Sequence, residues 1–326
     1  MIAIEEHWTS AGLTGALKAQ PTGLRDDSLA LNERGDHLQR LEDLGDVRLA
    51  AMDEQGVDLQ VLSLAPPGPG ALAPADAVAM SRELNDVAAD AVARHPDRFR
   101  ALATLPLADP AGAAAELERA TRLGAVGVML YGRTGDTPLD DPRYDEVLGL
   151  AASLGQPVFI HPQIPARAVR EAAYGGFDDA VGLALSTFAW GWHLEAALAT
   201  LRLVARGAFD RHPDLQVVLG HWGELLLFWQ DRVGSLSRVA SLDRPVAEVL
   251  RENVHVTASG MLSPALLRHA LEVTTADRLM FSTDYPFQHP TRPQIDAFLG
   301  ELGPADRAAF TDGNARKLFR IDAGVV

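Results

Sequence analysis

The feature that most limits this chain is a series of eight short apolar runs separated by longer helix-like stretches. The runs cover residues 2–4, 59–64, 101–105, 125–130, 157–160, 216–219, 254–257 and 279–281. Most are bounded by Gly, Pro or Asp. Such runs suit strands buried on both faces, as in a parallel sheet wrapped by helices. Helix-like stretches lie at 76–94, 111–122, 143–154, 195–208 and 264–273. In the first of these, Asn85 and Asp86 interrupt an otherwise apolar stripe. Eight strands, most followed by a helix, predict an α/β fold of the (β/α)8 TIM-barrel type. An open doubly wound sheet uses the same elements and is the alternative. The 326 residues suffice for one large barrel or for two domains. Residues 10–46 form a long mixed segment, and connections of that length often act as lids.

Composition removes several functions. With no cysteine, the chain has no disulfide framework, thiolate metal site, iron–sulfur cluster or cysteine nucleophile. A net charge of −15 argues against a surface that tracks nucleic acid or anionic membrane. The N-terminus lacks a basic region ahead of a long apolar run, and no run is long enough to span a bilayer. A cytoplasmic protein with no membrane or nucleic-acid partner is therefore expected.

The polar residues fall at informative places. The first run leads into Glu5-Glu6-His7, the fifth into His161-Pro162 and the sixth into Gly220-His221-Trp222-Gly223-Glu224. The seventh ends in Thr257-Ala258-Ser259-Gly260 and the eighth in Ser282-Thr283-Asp284-Tyr285-Pro286. In a closed barrel all these strand ends meet on one face, where such barrels keep their active sites. Glu5 and His7 are two apart, so in an extended segment both leave the same side. Two histidines and two carboxylates make a donor set for one borderline divalent ion. Singly, each residue has a plainer reading: a hydrogen-bonded histidine, or an aspartate capping a turn. Their joint placement at strand ends favours a metal site.

Lysine and the remaining histidines narrow this further. Lys18 and Lys317 are the only lysines, and neither follows an apolar run. A lysine-bridged metal pair and a Schiff-base mechanism are thereby excluded, leaving a single metal. His95 and His212 lie in helix-ending turns, and His37, His255 and His269 lack a partner at useful spacing. His193 and His289 are near the motifs and are candidates for supporting or substrate groups.

These motifs give the chain a family likeness. It resembles the amidohydrolase-related metal-dependent decarboxylases, the group containing aminocarboxymuconate semialdehyde decarboxylase. Within it, the chain is most similar to the branch acting on hydroxybenzoates such as γ-resorcylate and 2,3-dihydroxybenzoate. The matching stretches include Glu5-Glu6-His7, His95-Pro96-Asp97-Arg98-Phe99, His161-Pro162, Gly220-His221-Trp222-Gly223-Glu224, Ser282-Thr283-Asp284-Tyr285-Pro286 and Asn314-Ala315-Arg316-Lys317-Leu318-Phe319. They run from end to end, so the resemblance implies one domain over residues 1–326. It implies one Zn²⁺ or Mn²⁺ held by Glu5, His7, His161 and Asp284. It also implies that Asp284 and His221 serve catalysis, and that Arg232 stands near the substrate. The expected partner is a small carboxylic acid, and the expected assembly is a homodimer or homotetramer.

Three departures concern the substrate side. Tyr131 stands where the hydroxybenzoate branch has an asparagine. The segment from Pro162 to Arg167 lacks the branch's polar match, and the stretch after the first run has little aromatic content beyond Trp8. The expected activity is non-oxidative decarboxylation of a hydroxybenzoate-like or conjugated acid. A mononuclear metal-dependent hydrolase or hydratase uses the same ligands and is the alternative. A third reading, a metal-binding or scaffold barrel that has lost activity, predicts that Asp284→Asn leaves function unchanged.

Overall fold

The computed structural model describes residues 1–21 and 25–321. Eight parallel strands follow one another around a single sheet. They are β1 (Ile2–Trp8), β2 (Leu59–Leu64), β3 (Phe99–Thr104), β4 (Gly127–Tyr131), β5 (Val158–His161), β6 (Val217–Leu219), β7 (Val254–Thr257) and β8 (Leu279–Met280). Two backbone bonds join the last strand's segment to the first: Ile4 N–H donates to Phe281 at 3.3 Å and His7 N–H to Tyr285 at 2.7 Å. The sheet thus closes into a (β/α)8 barrel.

Two apolar clusters explain why the strands are hydrophobic on both faces. Ile2, Ile4, Leu59, Val61, Leu102, Met129, Phe159, Val218 and Met280 fill the barrel's interior. Ala315, Phe319 and Ile321 join them from the terminal helix Asn314–Phe319 and the residues after it. Their alternate neighbours, such as Ala3, Leu62, Ala101, Val128, Ile160 and Val217, pack outward under the helices. The interior is therefore a filled core with its functional opening at the strands' C-terminal ends.

β1 departs from the expectation most usefully. It runs to Trp8, so Glu5, Glu6 and His7 lie inside the strand rather than after it. Ala3 pairs with Gln60 but Glu6 pairs with Leu62, so one extra residue is inserted here. This β-bulge re-aims the following side chains. Ile4 faces the interior core, Glu5 and His7 reach the site above it, and Glu6 turns to Gln60 and Thr283.

The helices also shift slightly from their sequence positions. The stretch expected at 195–208 is the helix Gly191–Ala205 followed by Ala208–Arg211. The described residues of the 10–46 segment hold three short helices, Ala11–Ala19, Leu29–Asn32 and His37–Glu42. Part of that expected lid, residues 22–24, lies outside the described residues. Among the described residues no helix is long and apolar enough to cross a membrane.

Candidate active site

Glu5, His7 and His161 bring one ligand-type atom each to within 4.8 Å of one another, and all three are buried. Each ring's other nitrogen is already occupied. His7 Nδ1 meets Ser63 Oγ at 3.2 Å, and His161 Nδ1 meets the Pro162 carbonyl at 2.7 Å. Each ring's Nε2 is therefore the nitrogen left for the cluster, the arrangement that fixes a histidine ligand's orientation. Glu5 is held through Oε2, which accepts from Thr257 Oγ1 at 2.8 Å and from Ser259 Oγ. Glu5 Oε1 and His7 Nε2 are buried without a hydrogen-bond partner. An orphaned acceptor beside an orphaned ring nitrogen is costly unless a cation satisfies both. Asp284 Oδ1 lies 3.3 Å from His7 Nε2, at the edge of this three-residue group.

Backbone geometry here is strained. Positive φ at non-glycine residues includes His221 (46°), Glu224 (52°), Ser259 (43°) and Asp284 (61°), which lie at strand-end turns on this face. Non-glycine residues persist there only when their surroundings enforce it, and such strain gathers at functional sites. Gly220 is needed for a different reason. A Cβ there would lie 2.7 Å from Glu5 Oε1 and 2.9 Å from Ser259 Oγ.

His221 stands beside this cluster, its Nδ1 4.0 Å from Glu5 Oε1 and 2.8 Å from Glu224 Oε1. Burial alone would strip its proton, but the Glu224 carboxylate, with Glu5 and Asp284, pushes its pKa up to about 10. Burial would raise Glu224, yet His221 and His193 hold it down to about 2. A bound cation would oppose the charging of His221. Burial and the neighbouring His7 hold His161 well below the usual imidazole range, keeping it in the neutral form a metal requires. Burial, and more weakly Asp284, push Glu5 upward. A lone carboxylate in this dry place is costly without a positive partner.

No hydrogen bond or ion pair among the described residues ties the Arg232 side chain to this cluster. The residue sits on the four-residue helix Gln230–Val233, exposed, with no ion pair or side-chain hydrogen bond among the described residues. After the Gly220–Glu224 turn the chain runs off as short helical pieces on the surface, where Phe228 and Trp229 are 55% and 60% exposed. That path carries Arg232 outward, and a pairing with Asp231 or Glu224 does not form. His289 is also outside, half exposed and 3.9 Å from Glu54.

Two groups at the site received no role from the sequence. Glu224 was visible only as the end of the Gly-His-Trp-Gly-Glu motif. Its spacing of three from His221 in a turn was the available signal. Glu6 sits next to a ligand candidate but accepts from Thr283 N–H and Gln60, close to Arg48, and burial pushes it up to about 8. It braces the strand rather than the site. Beside the cluster a cavity of 370 Å³ is lined by Thr104, Met129, Tyr131, Arg133, Gln163 and Arg170, among others. Tyr131 donates its hydroxyl to the Leu64 carbonyl at 3.2 Å, with its ring 6.1 Å from that of His161.

Comparison with known proteins gives consistent relatives. A family model described as Amidohydrolase matches residues 31–321. Decarboxylase orsB of Emericella nidulans is 36% identical over 303 residues, covering 90% of this chain and 87% of that protein. Gamma-resorcylate decarboxylase of Rhizobium radiobacter is 34% identical over 337 residues, covering 98% of both. A dihydroxybenzoic acid decarboxylase from Polaromonas sp. JS666, solved with manganese and the inhibitor 2-nitroresorcinol, has a TM-score of 0.83 and 31% identity. That match covers 99% of this chain and 97% of the other.

Proposed function

The chain belongs to the amidohydrolase family, and from that premise we infer a metal-dependent decarboxylase of a hydroxybenzoate-like or conjugated carboxylic acid. One observation carries this reading: the buried, unpartnered pair Glu5 Oε1 and His7 Nε2, beside His161 and Asp284. We assign these four residues to one divalent ion. Manganese or zinc suits two imidazoles and two carboxylates, and the manganese in the Polaromonas enzyme supports the former. When bound, the ion supplies charge stabilisation and orientation for an anionic substrate.

The chain's own groups then account for the chemistry. The acid's carboxylate and ortho hydroxyl face Glu5 and His7, with the ring extending toward Tyr131. Asp284 delivers a proton to the ring carbon that bears the carboxylate, using the ring's π electrons. The bond to the carboxyl carbon then breaks, its electron pair restores the ring, and CO₂ leaves. Asp284 is left as a carboxylate and is recharged before the next turnover. His221, charged beside Glu224, donates Nδ1–H to that carboxylate and Nε2–H to the substrate's negative oxygen. Activation of a water by the same residues would give hydrolysis or hydration instead. The decarboxylase relatives favour the first course.

The test is a panel of hydroxybenzoates, including 2,6-dihydroxybenzoate, with CO₂ release and ring product followed together. Hydrolysis of lactones or amides, with ¹⁸O entering product from water and no acid consumed, would overturn the assignment. We further propose that residues 1–326 form one domain, working in the cytoplasm as a homodimer or homotetramer. The exposed Phe228, Trp229 and Val239 support self-association, which light scattering measures directly.

A further inference from the structure

His193 lies on the helix Gly191–Ala205, in the insertion between β5 and β6. Its hydrogen bond to the active-site face is made to Glu224. Its Nδ1 is 2.6 Å from Glu224 Oε2, while its Nε2 is 3.0 Å from the Phe188 carbonyl. A carbonyl only accepts, so Nε2 carries a hydrogen. A carboxylate also only accepts, so the short contact on the other side holds a proton as well. Glu224 is fully buried and receives His221 on its second oxygen at 2.8 Å. The two rings approach to 4.7 Å between centroids. The carboxylate is thus gripped from two sides. Without His193 it would be free to rotate, and its hold on His221 would loosen.

We propose that His193 is a positioning residue for His221, fixing Glu224 so that the His221 ring presents its free nitrogen to the substrate. The kinetic part of this proposal rests on the decarboxylase reading; the geometric part does not. Outer partners of this kind typically change activity by about 10- to 100-fold when removed.

The experiment uses metal-loaded full-length protein and the variants His193→Ala and His193→Asn. Asparagine keeps an N–H donor near the position of Nδ1. With 2,6-dihydroxybenzoate, His193→Ala should lower kcat about tenfold or more while KM, metal content and melting temperature stay near wild type. His193→Asn should restore much of the loss. Unchanged kcat in His193→Ala overturns the proposal. So does a loss that tracks metal content or unfolding, or a failure of asparagine to restore anything. Histidine ¹⁵N spectra decide the matter even if wild type decarboxylates no acid tested. Loss of the ordered His221 Nδ1–H signal in His193→Ala supports the proposal, and an unaltered His221 signal overturns it.

Discussion

Glu5 is held at one oxygen and left bare at the other, and that asymmetry sets what substitutions here should do. The hydroxyls of Thr257 and Ser259 fix its orientation, so the bare oxygen is aimed before any ion arrives. His161 is positioned in the same way through the Pro162 carbonyl. His161→Ala should therefore lower metal affinity by about tenfold or more with little change in fold. Metal analysis after gel filtration checks this, and full stoichiometric retention would refute the ligand assignment. Asp284→Asn keeps an oxygen near His7 but removes the transferable proton. CO₂ release should fall by about 10²- to 10⁴-fold, by more than the loss of bound metal. Asn85 is a structural counterpart. Its amide donates to the Thr104 carbonyl at 2.9 Å and to Glu116 at 2.7 Å, and it accepts from Thr104 N–H at 2.8 Å. The polar break in an apolar stripe is thus the clamp between the helix Pro74–Arg94 and β3. Asn85→Ala leaves Thr104 N–H unsatisfied and should cost about 2 kcal/mol in denaturant unfolding.

Among the elements, the strands were legible because a parallel sheet wrapped by helices leaves no polar face to disguise them. The donor set was legible because it rises from strand ends, the one part of such a strand that can be polar. What escaped was local. β3 begins at Phe99 because Arg100, a charge in an apolar run, folds back onto the Pro96 and Phe99 carbonyls. The bulge in β1 has no glycine to mark it. Glu224 and His193 meet from a turn and an inserted helix 31 residues apart, a contact no periodicity encodes. β7 carries a further consequence. His255 is 7% exposed, and its pKa is lowered to about 3 by burial and then by Arg278. Its folded value lies below the unfolded value of about 6.5, so the unfolded chain takes up the proton first as pH falls. The stability due to neutral His255 is complete above about pH 6.5 and is lost progressively toward pH 3. Between pH 7 and pH 5 this one group should account for about 2 kcal/mol. His255→Asn should flatten that part of the profile, and equal slopes for the two proteins would remove His255 as its cause.

For the whole molecule, the charge of −15 and an anionic substrate act against each other over distances the metal site does not control. A chain of this length folds to a radius of about 25 Å. Spread over such a sphere, that charge repels a monoanion at the surface by about 1.4 kcal/mol at 10 mM salt and about 0.7 kcal/mol at 100 mM. Attraction at the ligand cluster works at contact distance in a buried place and is screened little. Arg25, Arg133, Arg167 and Arg170 line the adjoining cavity, and their attraction is screened along with the repulsion. Arg25 donates to the Gln20 carbonyl, Arg170 pairs with Asp27 and Arg133 lies 3.9 Å from Glu195, so their outward field is weak. Repulsion by the whole surface therefore dominates the salt dependence. Raising salt from 10 to 100 mM should lower KM for a hydroxybenzoate by about threefold with kcat unchanged. A KM that instead rises with salt would mean that the arginine-lined mouth outweighs the acidic surface and gathers the substrate. In that case Arg133→Gln should abolish the rise.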